Sequence, residues 1–252
     1  MWISRILSGM ILDKFLDTVN GQCRRCSAKS PMVHESMLSP FTILTPNNAH
    51  YPSALMGGKE RSLFPQIWAL GDASILKRPL LGFVCSVKCP GDLILRTYDL
   101  ARALRDAGVA VISGFHTPIE KDCLDLLLRG SQSVVICPAR SIQNMRFVKN
   151  LKANIEKGRV LLLSPFEETV KRPTAQISER RNQFIGALSA AVFVAYAEPG
   201  GKTEEFCKEI LSAGKPLFTF ESTYNATIIE KGAIPVGREA LTHWAGSLNP
   251  MG

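Results

Sequence analysis

From Leu80 onward the chain alternates two kinds of segment. Short, almost continuously apolar runs are followed by longer stretches whose apolar residues recur every three to four positions. The runs are rich in Val and Ile, a length and composition that favour strands. This predicts strands at 81–85, 109–113, 133–137, 160–164, 191–197 and 216–220. The periodic stretches between them predict helices at 93–107, 118–129, 142–157, 178–189 and 203–213. Gly108, just before the second strand, is placed as a helix stop. A short helix at 226–231 and an edge strand at 234–236 complete the pattern.

Strands that read as continuous apolar runs are buried on both faces, so the sheet is expected to be mostly parallel with helices on each side. Right-handed crossovers then give an α/β, doubly wound, Rossmann-like fold. Residues 1–60 follow a different pattern: one amphipathic helix over 3–19, then polar, Pro-containing sequence without periodicity. The expected organisation is a helical or irregular extension at 1–60 and a Rossmann-like domain at 61–252.

In such a sheet, ligands bind beyond the carboxyl ends of the strands. Ser86 and Lys88 follow the first expected strand, and Ser113, Gly114 and His116 the second. Arg140 follows the third. A loop with Lys171, Arg172, Arg180, Arg181 and Asn182 follows the fourth, and Gly200, Gly201, Lys202 and Thr203 follow the fifth. Glycine lets a backbone approach closely, N–H groups at helix starts face anions, and cations supply charge. The rim is therefore expected to bind phosphate.

Net charge sharpens this picture. The 252 residues carry a formal charge of +8. Between Arg140 and Arg181 ten Lys and Arg oppose only four Glu, so most of the surplus lies in this run. It reads either as a solvated face or as a polyanion site. Phe147, Phe166 and Phe184 near the run are candidates for stacking on bases, with a core role as the alternative for Phe184.

Other chemistry is excluded or weakly marked. Hydrophobic residues at 46% rule out a disordered chain. No apolar run approaches the roughly 20 residues needed to span a bilayer. The N-terminal helix is interrupted by Arg5, Asp13, Lys14 and Asp17, so a signal peptide is not expected. Seven scattered Cys fit a reduced, cytoplasmic protein better than a disulfide framework. Gly201-Lys202-Thr203 lacks the earlier glycine of a P-loop, since Tyr196 stands there, and Gly82 alone makes no dinucleotide fingerprint. Cys23 and Cys26 have no second CxxC, so no metal site is expected. Cys85 and Cys89 flank the first helix start, where thiolates are favoured, but no base stands near them in sequence. No catalytic residue and no cofactor is assigned.

Several segments resemble the DNA-processing protein DprA/Smf family. Tyr51-Pro-Ser-Ala-Leu55 resembles its YPxxL entry, and Trp68-Ala-Leu-Gly-Asp72 its LxxxGD turn. Gly82-Phe-Val-Cys-Ser86 stands at its VGSR strand end, and Val111 to Glu120 resembles its SGxAxGID motif. Arg181 to Ser189 resembles RNRIIAGLS, the most specific match. The resemblance implies an extended Rossmann fold that binds single-stranded DNA, loads a RecA-type recombinase in natural transformation, and forms homodimers. It assigns the strand pocket to Ser86, Ser113, Gly114, Arg181, Asn182, Gly200 and Gly201. The chain departs from the family at Val87, Leu124 and Gln183, which replace an Arg, a His and an Arg. Pro199 to Glu205 resembles instead the PGGxGTxxE motif of the related lysine-decarboxylase-like (LOG) proteins. That likeness implies the alternative of a nucleotide sensor, or of a nucleoside monophosphate hydrolase using Arg181 with Glu204 or Glu205.

Overall fold

A computed structural model of the chain describes residues 41–56, 62–143 and 145–248. The expected helix at 3–19 and the Cys23/Cys26 pair lie outside them. The described residues belong to one compact unit.

Among the described residues nine strands form one sheet: β1 (Thr42–Leu44), β2 (Ile67–Leu70), β3 (Leu81–Val84), β4 (Val111–Ser113), β5 (Val134–Ile136), β6 (Val160–Ser164), β7 (Ala191–Val194), β8 (Leu217–Phe220) and β9 (Ile234–Val236). Their order is β1-β2-β6-β5-β4-β3-β7-β8-β9. The seven strands from β6 to β9 pair in parallel, while β2 runs antiparallel to both β1 and β6. The helices are α1 (Gly91–Asp106), α2 (Pro118–Leu127), α3 (Lys149–Glu156), α4 (Ala175–Leu188), α5 (Lys202–Ser212), α6 (Ala226–Glu230) and α7 (Leu241–Ser247). No helix among the described residues is long and apolar enough to cross a membrane.

Alternation along each strand sends side chains to two cores. Leu81, Phe83 and Val111 join Leu93 and Leu100 of α1, Cys123 of α2, Ile155 of α3 and Ala245 of α7 on one face. On the other face Ile112 and Leu161 meet Phe184, Ile185 and Leu188 of α4. Val84 and Val192 meet Phe206 and Ile210 of α5 and Ile228 of α6. Full burial of one such aliphatic or aromatic side chain stabilises by roughly 1.5–3 kcal/mol, which makes these two layers the main support of the fold. The sheet is therefore covered on both faces, as expected.

Two close approaches fix α4 on this scaffold. A Cβ at Gly82 would sit 2.5 Å from Ser189 Oγ, so the lone glycine of β3 lets the strand pack against the end of α4. At that same end Lys215 Nζ donates to the carbonyls of Gly186, Ala187 and Ser189 at 2.7, 2.8 and 2.8 Å. A cation there satisfies carbonyls that the helix leaves unpaired.

The structure departs from the pattern-based elements in four places. Helix α3 begins at Lys149 rather than near 142. Ser141 N–H bonds Val170 O, Gln143 N–H bonds Ser141 Oγ, and Val148 is extended at the N-cap. Helix α4 begins earlier than expected because Thr174 Oγ1 caps Ile177 N–H at 3.2 Å. Strands β1 and β2 add an antiparallel edge within and just beyond the stretch expected as an extension. Leu44, Tyr51 and Leu55 are buried on that edge. Finally, α7 follows β9 and packs Leu241 and Ala245 into the α1 face.

Candidate functional site: the cleft at the β3–β7 crevice

β3 and β7 are neighbours in the sheet, although β4, β5 and β6 intervene in the chain. The chain leaves β3 to one side and builds β7 on the other, so the helices that follow diverge and open a crevice at the strand ends. A cleft of about 300 Å³ occupies it. Its walls are the 84–87 segment after β3, His116 after β4, the first turns of α4 and α5, and Glu198 after β7.

Arg181 forms the floor. It lies in the second turn of α4 and is only 1% exposed, yet its guanidinium reaches the cleft. Its Nε donates to Asn182 Oδ1 at 2.8 Å, and one Nη lies 3.4 Å from Cys137 O. The other Nη lies 3.1 Å from His116 Nδ1. The guanidinium passes directly over Gly114, where a Cβ would stand 1.4 Å from Nη1. Gly114 is thus required by close approach. Burial lowers the Arg181 pKa and Glu120 opposes that, so the cation persists.

Glu120 supplies the buried counter-charge. Thr117-Pro-Ile-Glu120 is a capping box at the start of α2: Thr117 Oγ1 accepts from Glu120 N–H, and the Glu120 carboxylate accepts from Thr117 N–H. The same carboxylate accepts from Cys85 N–H at 3.0 Å and His116 N–H at 2.9 Å. Burial alone would raise its pKa, but His116 and these backbone donors outweigh burial and hold it below the ordinary value. His116 Nδ1 also lies 3.0 Å from Glu120 Oε2. With a lone pair, Nδ1 accepts from Arg181. With a proton, it donates to Glu120, and it cannot do both.

The glycine pair after β7 has a local origin. Glu198 to Gly201 form a turn closed by Gly201 N–H to Glu198 O at 2.9 Å. Pro199 precedes Gly200, whose φ of +70° favours glycine. Gly200 N–H donates to Glu204 Oε2 at 2.6 Å. Lys231 also bonds Glu204, and together these hold its carboxyl at about 2. Glu204 is therefore a buried brace behind the turn, whereas Glu205 lines the cleft and pairs with Lys202 at 2.8 Å. Ser86 closes the lip: its N–H bonds Tyr196 O, and its Oγ accepts from Glu198 N–H, both at 2.9 Å.

Of the rim residues expected from sequence, Ser86, His116, Arg181, Asn182, Gly201, Lys202 and Thr203 line this cleft. Gly114 lies beneath Arg181, and Gly200 lies in the adjoining turn. Ser113 is fully buried and its Oγ accepts from Phe115 N–H at 3.3 Å, so it shapes the turn rather than the surface. Lys88 is exposed outside the lining, and Arg140 lines a separate hollow with Lys171 and Glu168. The stacking candidates are committed elsewhere. Phe184 is fully buried edge-on to Phe64, Phe166 is 6% exposed, and Phe147 packs against the core. Of the acidic wall of Glu179, Glu198, Glu205 and Glu209, sequence reasoning singled out Glu205 alone. It also left Glu120 without a role, although the T-x-x-E capping spacing was legible.

The family model described as DNA recombination-mediator protein A matches residues 42–236. The chain belongs to this family. As a member of the DNA recombination-mediator protein A family it falls among DNA-processing proteins, and its fold agrees with solved relatives. The DprA structure from Streptococcus pneumoniae superposes with a TM-score of 0.65 at 18% identity, covering 79% of this chain and 72% of that one. DNA processing protein A from Helicobacter pylori, described for its single-stranded DNA binding mode, superposes with a TM-score of 0.64 at 20% identity, covering 84% and 98%. No match was found among curated proteins.

Proposed function

We propose that the chain binds single-stranded DNA with the backbone seated in the β3–β7 cleft. The observation that carries this is the buried Arg181 guanidinium, held over Gly114 and presented to the cleft beside Asn182, His116 and Ser86. A pre-placed fork of this kind suits a phosphate, and its ordering cost is met in folding. The acidic wall repels phosphate, so few phosphates bind, all close to Arg181.

This fixes the expected salt response. Each phosphate contact on a single strand contributes about −0.7 to the slope of log affinity against log salt, so two or three contacts give a slope of about −1.5 to −2. Fluorescence anisotropy with an oligothymidine, measured across salt, tests it. A slope near zero, or binding unaffected by Arg181→Ala in a folded protein, overturns the assignment. The further family functions are part of the same proposal: recombinase loading and homodimer formation in the cytoplasm. Pull-down of a RecA-type recombinase and sedimentation of the full chain test these.

A second reading rests on Arg181 and Glu205 lining one cleft. In it a nucleoside monophosphate places its phosphate at Arg181, and Glu205 stabilises charge at the sugar carbon. Release of free base from AMP, lost in Glu205→Gln, would establish this reading over the first. No release would refute the hydrolase.

A further inference from the structure

His116 is shared between two groups of opposite charge. Its Nδ1 lies 3.1 Å from Arg181 Nη2 and 3.0 Å from Glu120 Oε2. Both partners are buried, whereas the His116 side chain is 46% exposed and lines the cleft. The backbone sets this placement. Phe115 takes a φ of +45°, a left-handed value that is unfavourable for a bulky residue. Its side chain is buried and its N–H donates to Ser113 Oγ, so Phe115 turns inward and His116 outward. Strain held in this way clusters at ligand sites.

An imidazole nitrogen that faces both a donor and a carboxylate has two arrangements. Neutral, with its proton on Nε2, His116 accepts at Nδ1 from Arg181 Nη2, and that donor is occupied. Protonated, it carries hydrogen on both nitrogens. Nδ1–H then donates to Glu120, and Arg181 Nη2 loses its acceptor. The rest of the guanidinium keeps its partners, since Nε bonds Asn182 Oδ1 and Nη1 bonds Cys137 O. Two cations then adjoin one buried carboxylate. A phosphate oxygen in the cleft answers both the surplus charge and the released donor. The other titratable groups lining the cleft are the Cys85 thiol after β3, Glu179 on α4, Glu198 after β7, and Lys202, Glu205 and Glu209 on α5. Of these residue types, imidazole is the one that ordinarily changes charge between about pH 5 and about pH 8.

We propose that His116 is the proton-linked residue of this cleft, and that the site takes up one proton at His116 as it seats a phosphate. The proposal rests on the phosphate reading above and adds its regulation. Without ligand, the neutral imidazole is favoured, because it gives Arg181 Nη2 an acceptor. A seated phosphodiester favours the imidazolium. Arg181 Nη2 turns from Nδ1 to a phosphate oxygen, Nδ1–H donates to Glu120, and Nε2–H is left for the cleft. The proton comes from solvent, resides on the imidazole, and returns to solvent when the strand leaves. A ligand that binds the protonated form more tightly raises the protonated fraction, and by reciprocity the proton tightens the ligand. Affinity therefore rises as pH falls and is lost as His116 deprotonates.

The test measures oligothymidine affinity of the full chain by fluorescence anisotropy, at constant ionic strength, between about pH 5.5 and about pH 8. Oligothymidine keeps its charge across this window, so a slope reports the protein. Affinity is expected to fall about ten-fold from the acid to the alkaline end, and one linked proton limits the slope to about ten-fold per pH unit. His116→Asn keeps an acceptor near the position of Nδ1 but takes up no proton. It is expected to give a flat profile close to the alkaline value of the wild type. Calorimetry in two buffers of different ionisation heat should show proton uptake on binding by the wild type and none by the variant. A flat wild-type profile overturns the proton coupling and leaves the DNA reading standing. A slope that persists in His116→Asn overturns the assignment to His116. A protein that binds no oligothymidine at any pH refutes the DNA reading. Sulfate, whose charge is fixed across the window, then replaces the strand as probe, and a sulfate affinity that is absent or flat overturns the coupling as well.

Discussion

Two hollows of nearly equal size open at the carboxyl ends of the strands, about 300 Å³ beside Arg181 and about 290 Å³ beside Arg140. Both contain cations that belong to the same basic run. In the first, the guanidinium is buried, threads over a glycine, and is balanced by Glu120. In the second, Arg140 and Lys171 share their surroundings with Glu168, Ser141 and Gln143, and Lys171 is exposed. Nearly equal volumes thus hide a difference in preparation. A group whose position is fixed by folding binds without further ordering, whereas a surface lysine must be ordered by its ligand. The basic run is also spent in other ways. Arg159 bonds Asn154, and Arg180 bonds Leu63 O while covering the Phe64 ring.

The contrast is broken most severely at Gly114. Gly114→Ala puts a methyl group where Nη1 lies, so Arg181 must leave its partners. Disrupting such a buried charged contact is expected to cost about 3 kcal/mol or more of stability and to abolish oligonucleotide binding. Urea denaturation and anisotropy on the same preparation check both effects. Arg181→Ala should weaken binding by about 1–3 kcal/mol, the loss of a charge-assisted contact. A larger loss in Arg140→Ala than in Arg181→Ala would reverse the ranking of the two hollows.

Smaller effects sharpen it. Lys215→Met removes the donor to three carbonyls at the end of α4 and should lower stability by about 1–2 kcal/mol while leaving affinity nearly unchanged. Glu204 braces the glycine turn with a carboxyl at about 2 against 4.5 when free. A depressed value means that its stabilisation is complete above about 4.5 and drains away as pH falls toward 2. In Glu204→Gln the acid limb of stability over that window should become shallower, as followed by denaturation at stepped pH. Arg140→Ala is expected to change affinity by less than about two-fold, because Arg140 lies in the separate hollow outside the cleft.

Much of this was legible in the sequence, and the misses have physical causes. The strands from β3 to β8 are continuous apolar runs, so pattern alone located them. Ile67–Leu70 is equally apolar, but it is short and follows Phe64-Pro65-Gln66, and only pairing with β1 and β6 makes it a strand. The segment before α3 has helical periodicity, yet its N–H groups find partners in Val170 and Ser141. Arg181 and Asn182 could be placed from their motif. That Arg181 would be buried while Lys88 and Arg140 fell outside the cleft depends on how α4 crosses β4, which is information between elements rather than within one. The core role of Phe184 was legible from its amphipathic helix, which buries it against Phe64.

The Glu120 carboxylate bears on how such a pocket changes over evolutionary time. It holds the backbone at Cys85, the backbone at His116 and Thr117, and the charge of Arg181 at once. Replacing it strands partners on three separate segments in a single step, so substitutions at those positions are not independent. Lineages are expected to keep the set intact or to lose it together. The side chains of Lys88 and Arg140, which lie outside the cleft, are free to vary one residue at a time.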